Sequence, residues 1–483
     1  MLDTFADASS HLEHLREGKY SSVELLEAFK ERVEAADGDL NAIVAENFEE
    51  ARARAAAADV ARAKGEIWGP LHGLPMTIKD TFEVPGMTTT AGAPPYRDHH
   101  PSGHADTARA LVDAGAIVFG KTNLPVFAGE WQSFNPLFGT TNNPFDTLRT
   151  PGGSSGGSAA ALAAGFTPLE LGSDIGGSIR IPCHFCGVYG HKPTHGAISL
   201  RGHIPGPPGT QGEPDLAVAG PMARSARDLE LALEVLIRPA AEFPALAPAS
   251  PRPLSELRLA VWREDSTFPL ETEVREPISH MLKVLGEAGG RWTEEAPAGL
   301  SLEEVMATYV PLLAGILGAG FPRSTYRWMQ WGAPVLKRLA LRKVASPIVP
   351  LFIDGIVQTH RTWLSHDERR AKMGARVRAW FERFDLLIMP VTPWTAFPHA
   401  HEGELLTRRI ETPSGPRPYM DHLSWVGLAT TLGLPATSVP IGRTKDGLPV
   451  GIQVIGPRGQ DRRCLSFARQ LQELLGGFEP PAP

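Results

Sequence analysis

Gly152-Gly153-Ser154-Ser155-Gly156-Gly157-Ser158 is followed by an Ala-rich apolar run and then by Gly172-Ser173-Asp174-Ile175-Gly176-Gly177-Ser178-Ile179-Arg180. Two serine-bearing glycine loops therefore flank one short apolar element. A helix from Ser158 through Gly165 climbs about 1.5 Å per residue, and a short strand running back sets the two loops side by side, with both hydroxyls in one pocket. Glycine suits such loops because it tolerates positive φ and lets a reacting carbonyl approach the main chain, where successive N–H groups can point at one oxygen. A flexible Gly/Ser linker is the plainer reading, but apolar residues follow each loop at once. The Lys-Ser/Thr ending of a nucleotide-phosphate loop is missing. The strand-to-helix elbow Gly-x-Ser-x-Gly is not formed around Ser178 either, so a nucleophilic serine here needs a base outside the usual histidine arrangement.

Working outward, Gly73-Leu74-Pro75-Met76-Thr77-Ile78-Lys79-Asp80 contains a short β-prone run closed by Lys79. Taken alone, Lys79 is an ordinary solvated charge. At the buried end of a strand it would lose solvation, its pKa would fall, and a neutral amine would be available as a base. Asp80 beside it would instead hold it charged. Ala108 to Phe119 is expected to run as a helix that turns at Gly115 into a strand, with Gly120-Lys121-Thr122-Asn123 as a loop. Helix and strand patterns keep alternating, which favours a layered α/β fold.

The 483-residue chain is long enough for a large core. A formal net charge of −7 gives no electrostatic case for nucleic acid or an anionic membrane as the main partner. Three cysteines are too few for a disulfide framework and point to a reducing compartment. Met1 to Lys19 lacks the apolar core of a signal peptide, and no apolar run is long enough to span a bilayer, so the cytoplasm is the expected location.

Lys79 in its Gly-x-Pro-x-x-x-Lys-Asp setting, Gly120 to Asn123, Pro151 to Ser158, Leu171 to Arg180 and Cys186-Gly187-Val188-Tyr189-Gly190-His191-Lys192-Pro193-Thr194 together resemble the amidase signature family. The match is dense from about Gly69 to Ser225 and returns from Phe384 to Gly456. The resemblance implies an α/β/α sandwich around a large mixed central sheet, in a single domain over 1–483. The signature core would occupy about 69–236 and 380–475, with a variable substrate-side segment at about 239–379. It also implies a catalytic triad of Ser178 as nucleophile, Ser154 as a bridging serine after a cis peptide, and Lys79 as base. The oxyanion donors would be the N–H groups of Ile175, Gly176, Gly177 and Ser178. No cofactor or metal is implied. The activity would be hydrolysis of C–N bonds in small to medium, aryl or apolar amides through a seryl acyl-enzyme, extending to aryl esters and carbamates. Its partners are expected to be a small-molecule amide and water, with no nucleic acid and no membrane, in a monomer or homodimer. A glutaminase subunit of a tRNA-dependent amidotransferase is the alternative within the family, and a catalytically silent binding protein of the same fold the alternative outside it.

Several segments are informative beside that core. Asp174 and Arg180 flank the nucleophile loop and are expected to pair or to bond its backbone. Cys183-His184-Phe185-Cys186 with His191 and His195 hints at zinc, but the spacing is too short for a finger and no second cysteine pair exists. Arg201 to Asp215 is a Pro/Gly-rich loop that departs from many relatives and would form an unusual lid over the site. Pro239 to Pro253 is a connector. In Ser301 to Ala379, Met306, Tyr309, Leu313, Phe321, Trp328, Met329 and Trp331 read as core, with the sharper alternative that Trp328 and Trp331 line an apolar acyl or aryl pocket. Ala128 and Ser154 are further candidates for substrate contact.

Overall fold

The computed structural model describes residues 2–204, 206–249, 251–343 and 346–482. Met1, Pro483, position 205 of the 201–215 loop, position 250 of the 239–253 connector and positions 344 and 345 of the 301–379 segment therefore lie outside the described residues. Local signals place many elements correctly. Ser21 caps the helix Ser22–Leu40 through a complete capping box with Glu24. The Ala-rich run becomes the helix Gly156–Ala163 and the returning strand is Leu169–Asp174.

The large sheet has eight strands, in the order Trp292–Glu294, Leu259–Val261, Leu386–Pro390, Pro449–Ile455, Ala436–Arg443, Tyr189–Lys192, Val218–Ala223 and Leu169–Asp174. The first three run parallel and every later pairing is antiparallel, so the sheet is mixed, as expected. The strand before the nucleophile loop is its edge.

The strand carrying Lys79 does not belong to this sheet. Pro75–Lys79 lies in a separate three-stranded sheet, parallel to the central Ile117–Thr122 strand, whose other neighbour is the antiparallel Ile43–Glu46. Lys121 and Thr122, expected in a loop, are thus the last residues of a strand. The two sheets meet where Thr77 N–H donates to Thr167 Oγ1 at 3.1 Å and Thr77 Oγ1 lies 2.5 Å from Glu170 Oε1. That junction sets the end of one strand against the loops that follow the other.

From Ser301 onward the chain forms the helices Leu302–Gly318, Arg323–Lys343, Ile348–Ile356 and His360–Trp380. Met306, Tyr309, Leu313 and Met329 are buried as expected. Phe321, Trp328 and Trp331 are not: the two tryptophans are 63% and 86% exposed. The second helix buries Met329 and Ala333, one turn apart, and this turns positions 328, 331 and 335 outward. Asp215, at the end of the Pro/Gly-rich loop, is held by Arg370 Nη1 at 2.9 and 2.7 Å. No helix among the described residues is long and apolar enough to cross a membrane.

Candidate active site

Lys79 ends its strand with its side chain wholly buried, and its Nζ lies 2.7 Å from Ser154 Oγ and 3.0 Å from Ser173 Oγ. Burial removes the water that would stabilise an ammonium, and the charges of Asp174 and Glu170 oppose this only in part. The Lys79 pKa therefore falls to about 7. Asp80 does not hold Lys79 charged. Its carboxylate is 3.5 Å from Lys121 Nζ and accepts from Thr90 N and Oγ1. Ser173, one residue before Asp174, is a partner of the amine that carries no sequence signal of its own.

The two glycine loops do lie edge to edge. Ser155 N–H donates to Ser178 O at 3.1 Å, which ties the residue after Ser154 to Ser178 itself. The Gly153–Ser154 peptide is cis. Glycine at 153 is required by close packing, since a Cβ there would sit 2.7 Å from the Glu130 carbonyl oxygen. Ser178 is 5% exposed, at the floor of the loop rather than on the surface.

Around Ser178 the peptide planes are individually anchored. Tyr309 Oη donates to Ile175 O at 2.5 Å, Trp131 Nε1 to Gly176 O at 2.8 Å and Ile181 N to Gly177 O at 2.7 Å. In a trans peptide the N–H points opposite to its carbonyl, so Tyr309 orients the N–H of Gly176 and the Ile181 bond orients that of Ser178. Among the described residues the N–H groups of Ile175, Gly176 and Ser178 have no protein acceptor. Gly177, expected as a fourth oxyanion donor, departs from this pattern. With φ of +91° it turns its N–H into Asp174 Oδ1 at 2.9 Å.

Asp174 gathers this loop. It also accepts from Ile179 N at 3.2 Å, from Arg180 Nε at 3.0 Å and from Arg180 Nη2 at 3.0 Å. Burial alone would raise its pKa, but the Arg180 guanidinium more than offsets that, and the carboxyl is held below its ordinary value. Arg180 directs its remaining donors to Val426 O, Gln453 Oε1 and Thr430 Oγ1. The pair is fully buried and holds the loop rather than facing a ligand.

The surroundings are aromatic and apolar. Leu423 and Trp131 are the nearest side chains to Gly176, and Ile181 and Val426 to Gly177. Ala128, half-buried with φ of +56°, sits between Val126 and Gly129, which line a cleft of about 380 Å³ with Glu130 and Phe134. Trp328 and Trp331 are not brought into an enclosed pocket. A cavity of about 650 Å³ lies on another side of their helix, lined by Tyr326, Arg327, Ile316, Gln358 and Trp363. Cys183 and Cys186 are buried free thiols, and no group of three or more His, Cys, Asp or Glu among the described residues is placed to hold a metal.

A profile of the Amidase family matches residues 24–465. The chain belongs to this family, the amidase signature enzymes, and is an amide hydrolase of that class. It is 34% identical over 485 residues to a component of the glutamyl-tRNA(Gln) amidotransferase of Thermus thermophilus, covering 96% of each chain. It is 31% identical over 478 residues to the AtzE component of the 1-carboxybiuret hydrolase of a Pseudomonas species, covering 96% of this chain and 97% of that one. Among solved structures, a bacterial aryl acylamidase of the amidase signature family superposes with a TM-score of 0.77 at 25% identity, covering 97% of this chain and 96% of the other.

Proposed function

We propose that the chain hydrolyses amides through an acyl-enzyme on Ser178, with Ser154 as the proton bridge and Lys79 as the base. The observation that carries this reading is a fully buried amine with a pKa of about 7, 2.7 Å from the Ser154 hydroxyl, in a loop tied directly to Ser178. As Ser178 Oγ attacks the carbonyl carbon, its proton passes to Ser154 Oγ and the Ser154 proton passes to Lys79 Nζ. The carbonyl oxygen takes up negative charge within reach of the Ile175, Gly176 and Ser178 N–H groups. Reversing the relay delivers the proton to the leaving nitrogen as the C–N bond breaks. Water then attacks the ester, gives its proton to the same relay, and frees the acid and Ser178.

An amide with an apolar or aryl group suits the uncharged side chains packed beside the loop, Trp131, Leu423 and Val426. Aryl esters and carbamates offer the same carbonyl to the same nucleophile. A second reading, a glutaminase component working with a partner, is favoured by the sequence comparisons, in which the 34% identical relative carries the name of an amidotransferase component.

A panel of anilides, aliphatic amides, aryl carbamates and glutamine, with mass detection of acylated Ser178, separates the two readings. The first expects the isolated chain to turn over anilides and leave glutamine intact. Glutamine turnover together with recovery of a stable heteromeric complex would establish the second. Ser178→Ala and Lys79→Ala are each expected to abolish turnover, and a Ser178→Ala chain that hydrolyses every accepted amide would sink both. Since only the neutral amine accepts a proton, kcat/KM should rise with pH through about 7. A rate flat from about pH 6 to about pH 9 would remove Lys79 from the base role.

A further inference from the structure

Among the described residues, Glu170 is a fully buried carboxyl that pairs with no cation. It lies on the edge strand Leu169–Asp174, with Oε1 2.5 Å from Thr77 Oγ1 and Oε2 accepting from Leu171 N at 3.1 Å. The hydroxyls of Thr122 and Ser158, 2.8 Å apart, complete its surroundings. Thr77 stands two residues before Lys79 and therefore on the same face of its strand. Two buried acids near the site take a cation directly, Asp80 taking Lys121 and Asp174 taking Arg180, whereas the more distant buried Asp228, among the described residues, accepts only from Ala8 N and from Ser9 N and Oγ. A charge on Glu170 would reach Lys79, yet neither makes an ion pair among the described residues; hydroxyls are their side-chain partners.

An unpaired buried carboxylate is costly, and the way out is to keep its proton. We propose that Glu170 is a positioning acid for Lys79: a neutral carboxyl lodged between Thr77 and the Thr122 and Ser158 hydroxyls, it fixes the strand that carries the amine without adding negative charge that would hold that amine protonated. The inference rests on the reading of Lys79 as the base. Glu170 retains its proton throughout the reaction; the protons that move are those of Ser178, Ser154 and Lys79. Burial pushes the Glu170 pKa up to about 8, against the opposing effect of its hydroxyl partners, and pulls Lys79 down to about 7. Burial thus drives the acid toward its protonated form and the amine toward its free form, and a neutral Glu170 removes one of the two charges that oppose the fall at Lys79. The other charges facing the pair are already committed, Asp174 to Arg180 and Lys121 to Asp80, and His203 is held neutral by burial at about 3.

The rate of fluorophosphonate labelling of Ser178 in the full chain, followed from about pH 5.5 to about pH 9, tests this without the physiological substrate. Glu170→Ala is expected to slow labelling about tenfold, and Glu170→Gln, which keeps the shape and stays neutral, to restore it to within about threefold. The midpoint of the acid limb should coincide in the wild-type and Glu170→Gln chains. If Glu170 is ionised in the wild type, removing its charge lowers that midpoint by about one pH unit, which overturns the proposal. So does a Glu170→Ala chain that labels at the wild-type rate, or a folded Glu170→Gln chain that does not label. Should Glu170→Ala fail to fold, the limb of Glu170→Gln decides alone. Wild-type protein that fails to label overturns the underlying reading instead.

Discussion

Tyr309 brings a phenol into a buried, mainly apolar stretch of its helix, and the destination of its hydroxyl explains its presence. By donating to Ile175 O it fixes the peptide whose N–H, on Gly176, is one of the donors proposed for the carbonyl oxygen. Tyr309→Phe keeps the packing and removes one hydrogen bond, an effect of about 1 kcal/mol, or about fivefold in rate. The loss should fall on kcat, with KM little changed, because the oriented N–H matters most when the oxygen carries charge. An equal loss in KM with constant kcat would show that Tyr309 serves binding instead. What is legible in the sequence at this scale follows from locality. Ser154, Ser178 and Lys79 stand in short stretches whose composition already constrains the backbone. Tyr309 reads as core because an aromatic in an apolar run looks the same whether or not its hydroxyl has a partner. Trp131 and Ser173 act through residues 45 and 94 positions away, a separation that one-dimensional spacing does not carry. The Gly177 N–H escapes a sequence reading for a related reason: its direction depends on Asp174, and the loop's glycine content alone does not fix it.

At the scale of elements, periodicity reveals which segments are helical but not which face each helix buries. The Arg323–Lys343 helix shows this. Its aromatic residues suggest either core or pocket, yet its buried stripe runs through Met329 and Ala333. Trp328→Ala and Trp331→Ala are accordingly expected to leave the ratio of anilide to short aliphatic amide turnover unchanged, within about twofold, because surface substitutions away from a site change energies by about 0.5 kcal/mol or less. A selective loss of anilide turnover would show that this helix reaches the substrate. The sheets illustrate the same gap between local and global information. Pro75–Lys79 and Leu169–Asp174 are both recognisable as strands, but two separate sheets arise because Ile117–Thr122 takes the first as its neighbour and Val218–Ala223 the second. Their contact through Thr77 and Glu170 is made by side chains, and strand propensity carries no information about it.

Across the whole molecule, Asp385 joins parts of the chain far apart in sequence. It begins the segment leading into the Leu386–Pro390 strand and accepts from Arg258 N, Nε and Nη2 at 2.9, 3.1 and 3.1 Å. Arg252 from the connector is 2.6 Å away and Arg463 from the C-terminal helix 3.5 Å away. Burial opposes ionisation, but the arginine bonds outweigh it and bring the pKa from 3.8 down to about 2. Asp385→Asn removes the charge at this junction while leaving three partly solvated arginines, so the expected loss of stability at neutral pH is about 2 kcal/mol rather than the larger cost of a fully buried pair. The sign with pH follows from linkage. A carboxyl whose folded pKa is depressed contributes stability that is complete above its unfolded value, near 3.8, and that disappears as pH falls through about 2. The difference between wild-type and Asp385→Asn chains in urea should therefore be constant from about pH 5 to about pH 7 and shrink by about half near pH 3. A difference that stays unchanged at low pH would show that Asp385 acts through shape and neutral hydrogen bonds, and that these arginines do not join the strand to the connector and the last helix through charge.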